Sequence, residues 1–351
     1  MVQSYDNGDF QEDLHVINDV ATGVTGIIAI HSTALGPAAG GCRFWHYESQ
    51  ADLATDALRL ARGMSYKNAL AGLPFGGGKA VLQRPLGDFD RAAVFRVFGE
   101  AVAALQGSYI TAEDVGTTVA DMRAVRAHTP YVAGLEVAAG MAGGDPSPWT
   151  ALGVFECMKA AARDVLHFDL KGATVAVQGI GNVGGGLCRL LRQEGANLVI
   201  ADIDEARAAA FAREFGAKQV GIDEILSVDA DVLAPCALGG ILNETTIPLV
   251  RARLICGGAN NQLATEADGQ ALDDREIIYA PDYVVNAGGI INVSAEYLGE
   301  TSRQVGDRVG QIAGRLLDIL RQAADRQMPP GAIAEHLARQ MIARARRSEA
   351  A

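Results

Sequence analysis

The chain has 351 residues, more than one hydrophobic core usually holds, so two domains are expected. Hydrophobic residues make up 49% and charged residues 21%, a globular balance that fits neither a disordered nor a fibrous protein. A net charge of −12 argues against a nucleic-acid partner, and no apolar run approaches the ~20 residues of a membrane span.

From the N-terminus, MVQSYDNGDFQEDL is polar and acidic, unlike a signal or transit peptide. Residues 24–31 read as a strand. Ser49 to Met64 reads as a helix, with Leu53, Ala57, Leu60, Ala61 and Met64 on one face. Strands are expected at Lys79–Leu82 and Tyr109–Ala112, and helices at 88–106 and 118–128. Residues 138–148 are rich in Gly and Pro and suit a hinge. Ser147 as N-cap and Pro148 at the first helical position then start a helix that runs to about Leu166. Short apolar runs alternating with helical segments follow, the pattern of a parallel sheet with crossover helices. After 302 the period is helical, with Val305, Val309, Ile312, Leu316, Leu320 and Ala323 on one face. Met328 to Gly331 breaks it before a last helix, where Arg344, Arg346 and Arg347 read as a solvated end. The expected fold is α/β in two domains with a cleft between them. Residues 1–143 form a mixed α/β substrate and oligomerisation domain. Residues 144–330 form a Rossmann-type doubly wound domain, and the helix 331–351 packs back on the first.

Gly179-Ile180-Gly181-Asn182-Val183-Gly184 is a GxGxxG between an apolar strand and a helix. Gly179 permits the tight turn, Gly181 lets backbone approach a pyrophosphate, and Gly184 lets helix and strand pack closely. Asp202 ends the next strand, 23 residues after Gly179, where an acidic ribose ligand is expected. Its carboxylate would repel a 2′-phosphate, and the nearest basic residue in the sequence is Arg207. The cofactor expected is therefore NAD rather than NADP. The alternative use of Asp202 or Asp204 is to cap the next helix.

The stretch Gly63 to Lys79 carries two lysines, Lys67 and Lys79, 12 apart in apolar, glycine-rich sequence. The three glycines before Lys79 suggest an open approach to its stem. A lysine in an apolar pocket beside another cation loses its proton more readily and can serve as a base. Five cysteines (Cys42, Cys157, Cys188, Cys236 and Cys256) form no CxxC pair and lack a histidine at metal-ligand spacing. They read as free thiols in a reducing, cytoplasmic compartment, with no metal. His31, His46 and His128 read as packing or surface residues.

The segments LGPAAGGCRF (35–44), GMSYKNALAGLPFGGGKAV (63–81), YITAEDVGTT (109–118), DPSPWTALGV (145–154), VQGIGNVG (177–184), APCALGG (234–240), GGANNQL (257–263) and APDYVVNAGGIINV (280–293) together resemble the glutamate/leucine/phenylalanine/valine dehydrogenase family along nearly the full chain. The resemblance implies NAD-linked oxidative deamination of an apolar L-amino acid to its 2-oxo acid and ammonia, and the reverse. It implies that Lys79 is the general base, with Asp114 as partner acid. Lys67 and Asn261 would hold the substrate carboxylate, and the backbone of Gly41 would face substrate or water. Thr150, Ala237 and Asn260 correspond to residues near the nicotinamide, and Asn182 and Val183 to the phosphate loop. Ala39, Ile290 and Val293 would line the side-chain pocket. Glutamate dehydrogenases carry a lysine at the position of Ala39, so glutamate is expected to be a poor substrate. Leucine dehydrogenases usually carry Leu there, so a pocket that also takes Phe is expected. The resemblance further implies a homo-oligomer with contacts from the N-terminal segment. The readings kept beside this one are a phenylalanine dehydrogenase and a non-catalytic NAD-binding regulator. A 2-hydroxy acid dehydrogenase would need a His-carboxylate pair and an Arg clamp, which the chain does not display.

Overall fold

The computed structural model describes residues 2–6, 11–135 and 137–349. Parts of the expected N-terminal contact segment (1 and 7–10) and of the last helix (350 and 351) lie outside the described residues. The chain divides into two compact units. Unit 1 is Met1–Gly144 with Asn292–Ser302 and Leu337–Ala351, and unit 2 is Asp145–Ile291 with Arg303–His336. The short segment from Asn292 to Ser302 thus falls with unit 1, not within 144–330.

Unit 1 begins with β1 (Val2–Asp6), β2 (Gln11–Asp19), β3 (Val24–Ser32), β4 (Ala38–Ala39) and β5 (Cys42–Trp45). Helix α1 (Gln50–Leu70), β6 (Gly76–Gln83), α2 (Arg91–Ala104), β7 (Tyr109–Ile110) and α3 (Val119–Arg126) follow. The strands make one mixed sheet, ordered β1-β2-β3-β6-β4-β7, with β5 also on β6. Strand β3 is apolar on consecutive residues because both faces are covered. Ile27 and Ala29 meet Leu53, Ala57 and Ala61 of α1 together with Val81. Ile28 and Ile30 meet Phe95 and Phe98 of α2 with Ala80 and Leu82.

Two expectations change here. Helix α1 runs six residues past Met64, to Leu70, because Ser65, Tyr66, Asn68, Ala69 and Leu70 are all buried. Strand β6 starts at Gly76, so the three glycines are sheet and not an open loop.

Unit 2 contains α4 (Ser147–Asp164), β8 (Thr174–Gln178), α5 (Asn182–Glu194), β9 (Asn197–Ala201), α6 (Glu205–Phe215), β10 (Lys218–Gln219), β11 (Val232–Pro235), β12 (Leu254–Ile255), α7 (Glu266–Asp273), β13 (Ile278–Tyr279) and α8 (Asp282–Val285). Then come α9 (Gly288–Tyr297), whose last six residues count with unit 1, α10 (Ser302–Val309), α11 (Ile312–Arg326) and α12 (Pro330–Glu349), which enters unit 1 at Leu337. The six strands are all parallel, in the order β10-β9-β8-β11-β12-β13. This is a doubly wound sheet whose order reverses between β8 and β11, the place where such sheets bind ligands.

The start of α4 differs from expectation. Ser147 is its first helical residue and Pro146 its N-cap, and no side chain caps there. Asp145 performs that work instead, accepting the Ser147 N–H at 2.9 Å. Val305, Val309, Ile312, Leu316, Leu320 and Ala323 are all buried, on α10 and α11 in succession. No described helix is long and apolar enough to cross a membrane. All five cysteines are free. Among the described residues no cluster of His, Cys, Asp or Glu could hold a metal ion.

Candidate active site

In unit 1, β4 and β5 lie end to end along the same edge of β6 and are interrupted at Gly40–Gly41. The interruption sits opposite Gly78 and Lys79, where the Ala80 N–H donates to the Gly41 carbonyl. The chain returns after β7 with Glu113 bridged to Cys42, and this brings Asp114 alongside. Gly41, Lys79 and Asp114 are thereby gathered from three separate segments. Lys79 Nζ lies 2.6 Å from Asp114 Oδ2. Lys79 is only 5% exposed, while Asp114 is partly open to solvent. A Cβ at Gly41 would come within 2.8 Å of the Asp114 Cβ and 2.7 Å of the Glu113 carbonyl oxygen, which leaves room only for glycine. The Asp114 turn is fastened by Thr117. Its hydroxyl accepts the Asp114 N–H at 2.8 Å and lies 3.1 Å from the Cys42 carbonyl oxygen. Burial pushes the Asp114 carboxyl up, but Lys79 and then Arg43 outweigh it, and the group stays ionised below its usual range.

Sequence reasoning missed Arg43. Its Nε is 3.6 Å from Asp114 Oδ2, and its Nη1 donates to Asp56 Oδ2 at 2.8 Å. It is the second cation of the site, and an arginine in the apolar run GGCRFW was the available signal.

Lys67 sits half-buried in the last turn of α1, where the carbonyl end of the helix dipole favours an ammonium. The next residue, Asn68, is fully buried and donates to the carbonyls of Ala39 (3.3 Å) and Gly76 (2.5 Å), tying α1 to two strands. Ala39 is 6% exposed. The glycines before Lys79 serve close packing. A Cβ on Gly77 would collide with the backbone of Ser65 in α1, and one on Gly78 would press on the Tyr109 ring. His31 is buried against Ser65 and Tyr66. Burial, and then the charges of Arg62, Arg346 and Arg339, lower it to about 4, so it is a neutral packing residue. His46 and His128 are on the surface.

Unit 2 carries the remaining positions. Gly179 has φ of 85°, and Ala237 packs against it. Gly184 has no space for a Cβ, which would strike the Gly179 carbonyl oxygen, whereas Gly181 opens on free space. Helix α5 starts at Asn182 and Val183 with no side-chain cap, so its first turn is available to an anion. A cavity of about 430 Å³ opens beside Asp202, Ile203, Val220 and Gly221. These features fit a dinucleotide with its pyrophosphate at the helix start.

Asp202 is already engaged. It accepts the Ile180 N–H of the glycine turn (2.8 Å), the Asp204 N–H (2.9 Å) and Arg207 Nη2 (2.6 Å). The sequence placed no basic group beside Asp202; the structure does. Asp204 caps α6, and the first turn carries Arg207 back onto Asp202. Burial raises the Asp202 carboxyl, the two backbone donors and Arg207 lower it, and the net direction is down.

Asn260 and Asn261 are exposed after β12. Asn261 has φ of 52°, a left-handed conformation that asparagine tolerates, and its carbonyl accepts the Gly240 N–H at 2.7 Å. Asn260 Oδ1 accepts from Asn286 at 2.8 Å. Buried Gln262 supports the loop through the carbonyls of Gly257 and Ala259. Thr150, on α4, contacts Gly289. Ile290 and Val293 are half-buried and three residues apart on α9, hence on one face.

Comparison with known proteins gives a consistent picture. Residues 11–131 match the family model described as Glu/Leu/Phe/Val dehydrogenase, dimerisation domain. Residues 146–206 and 200–345 match Glutamate/Leucine/Phenylalanine/Valine dehydrogenase. The chain is 46% identical over 338 residues to a leucine dehydrogenase of Bacillus subtilis, covering 96% of this chain and 93% of that protein. It is 42% identical over 339 residues to a valine dehydrogenase of Streptomyces coelicolor, covering 95% and 93%. Among solved structures, L-tryptophan dehydrogenase from Nostoc punctiforme superposes with a TM-score of 0.84 at 40% identity, covering 95% of this chain and 96% of that one.

Proposed function

The chain belongs to the glutamate/leucine/phenylalanine/valine dehydrogenase family of amino-acid dehydrogenases, and from that premise we propose that it oxidatively deaminates an apolar L-amino acid with NAD. The observation that carries the reading is the ion pair of buried Lys79 with half-buried Asp114 at 2.6 Å. A protein that only bound a dinucleotide would have no use for it.

Held at the glycine turn between β8 and α5, NAD would supply the hydride acceptor for the α-hydrogen, and the substrate would go on as its imine. Transfer of the Lys79 proton to Asp114 leaves a free amine beside a carboxylic acid. The amine can take a proton from water as it adds to the imine carbon. The acid can return one to the nitrogen, and the hydroxyl of the carbinolamine then passes its proton to that nitrogen as the C–N bond breaks, so ammonia and the 2-oxo acid leave and the Lys79–Asp114 ion pair is restored. Burial keeps bulk water from competing for these protons. Lys67 supplies the charge for the substrate carboxylate, and Asn261 is the further carboxylate ligand. Gly41 presents backbone beside Asp114. The phosphates go to Gly181, Asn182 and Val183, with Thr150, Ala237 and Asn260 toward the nicotinamide. The family description of residues 11–131 supports assembly as a homo-oligomer.

NAD is favoured because the Asp202 carboxylate, at the end of β9 and bonded to the glycine turn, would repel a 2′-phosphate. Asp202→Ala removes that charge and frees half-exposed Arg207 to meet a phosphate. The ratio of kcat/KM for NAD over NADP is expected to fall at least tenfold. A wild-type enzyme that uses NADP equally well would refute the role of Asp202.

The substrate class follows from Ala39, which offers no charge to a distal carboxylate; an unpaired buried carboxylate costs several kcal/mol. Deamination rates across Leu, Val, Ile, Met, Phe, Trp and Glu test this, with glutamate expected last. The aromatic alternative rests on the small size of Ala39 and on likeness to a tryptophan dehydrogenase. Ala39→Leu adds three carbons and should lower the Phe-to-Leu ratio of kcat/KM about 10- to 100-fold. Glutamate as best substrate, or an unmoved ratio, would contradict the pocket assignment.

A further inference from the structure

Arg43 has a place in unit 1 that its packing does not account for. It is on β5, two residues after Gly41. Its guanidinium spans two carboxylates, with Nη1 2.8 Å from Asp56 of α1 and Nε 3.6 Å from Asp114. The Tyr47 hydroxyl donates to the same Asp56 oxygen at 2.5 Å, so the far carboxylate is itself held. The groups form a line across the strand edge: Tyr47, Asp56, Arg43, Asp114, Lys79. We propose that Arg43 is a positioning residue for deamination, its guanidinium braced by Asp56 and Tyr47 so that Asp114 stays oriented toward Lys79.

The charge count explains the need. Asp114 is the single anion between two cations. Transfer of the Lys79 proton to Asp114 makes a carboxylic acid that must later release that proton to the departing nitrogen. Arg43 does not give up its proton in this range, so it favours that release and the ionised Asp114 to which the site returns after each turnover. Asp56 in turn offsets the charge of Arg43, leaving the line near neutral and tolerable in a half-buried place. Three further titratable groups of the strands and of α3 do not compete. Cys42 on β5 and Tyr109 on β7 are driven upward, chiefly by burial, and remain neutral, and Asp121 at the start of α3 is paired with Arg91. The fork of an arginine suits this bridge, because Nε and Nη1 point to different partners; a lysine could serve only one.

The inference rests on the Lys79–Asp114 reading, so the two are tested side by side by steady-state deamination across pH. Arg43→Gln is expected to lower kcat about 10- to 100-fold. KM for NAD should be unchanged, and the acid limb of the kcat profile should move to higher pH because Asp114 has lost a stabilising cation. Arg43→Lys should recover part of kcat and part of the displacement. Asp56→Asn, which loosens the brace, should move the limb the same way by less and also reports if Arg43→Gln folds poorly. Asp114→Asn separates the readings. If it keeps near-normal turnover, the Lys79–Asp114 assignment fails. If it is nearly inactive while Arg43→Gln and Asp56→Asn retain the wild-type acid limb, Arg43 is structural and the proposal is overturned.

Discussion

Replacing Lys79 by Ala is expected to reduce kcat by about 10²–10⁴ while leaving dinucleotide affinity at its wild-type value, because that is the usual contribution of a general base. The separation follows from the architecture. Lys79 is in the β6 strand of unit 1, and every residue assigned to the dinucleotide is in unit 2. Steady-state deamination gives kcat, and titration of NADH fluorescence gives affinity. A variant with near-normal kcat would mean that the base lies elsewhere. A variant that lost dinucleotide affinity as well would mean that the substitution had deformed more than the site.

The second large effect concerns stability. Gly77→Ala would set a methyl group against the backbone of Ser65, and backbone inside a packed helix cannot move aside as a side-chain tip can. Overpacking of this kind costs about 1–3 kcal/mol, and a melting temperature lower by several degrees is expected. Gly63→Ala is the matched control. Gly63 is exposed in the same helix with nothing near its missing Cβ, so the substitution should be neutral or stabilise by up to about 1 kcal/mol. Equal thermal shifts in the two variants would show that contact between α1 and β6 does not decide the cost.

These two glycines also mark where the sequence could be read and where it could not. The parallel-sheet unit was legible because its glycine turn, its acidic residue and the alternation of short apolar strands are all local signals. The face of α10 and α11 was legible for the same reason, since a helical period survives without knowledge of the partner. The run Gly76–Gly78 was misread because a glycine required by helix–strand contact looks, in sequence, like one left open for a ligand. The end of α1 was placed too early because the apolar face was followed only to Met64, whereas burial of Ser65, Tyr66 and Asn68 carries the helix on. Of the proposed catalytic pair, Lys79 was readable from its apolar, glycine-rich setting and Asp114 only through the family resemblance, and the second cation was not read at all. Arg43 meets Asp114 only through the pairing of β5 with β6 and the return of the chain after β7. In the same way Arg207 reaches Asp202 only once the first turn of α6 has formed. The Ser147 start failed for a narrower reason: Asp145, two residues earlier, could take the same amide.

The interrupted edge of β6 gives the two members of the catalytic pair different durability. Lys79 belongs to a strand paired on one side with β3 and on the other with β4 and β5, so its amide exchanges with solvent only when the sheet opens. Asp114 belongs to a turn held by Thr117, by the bridge of Glu113 to Cys42 and by one bond from Phe44 to the Val115 carbonyl, fewer ties than a strand paired on both sides, so it opens at smaller cost. On warming, the carboxylate is expected to leave before the ammonium. Heat inactivation is then expected to begin as the release of a four-residue turn from an intact sheet, with activity returning on cooling for as long as the sheet endures.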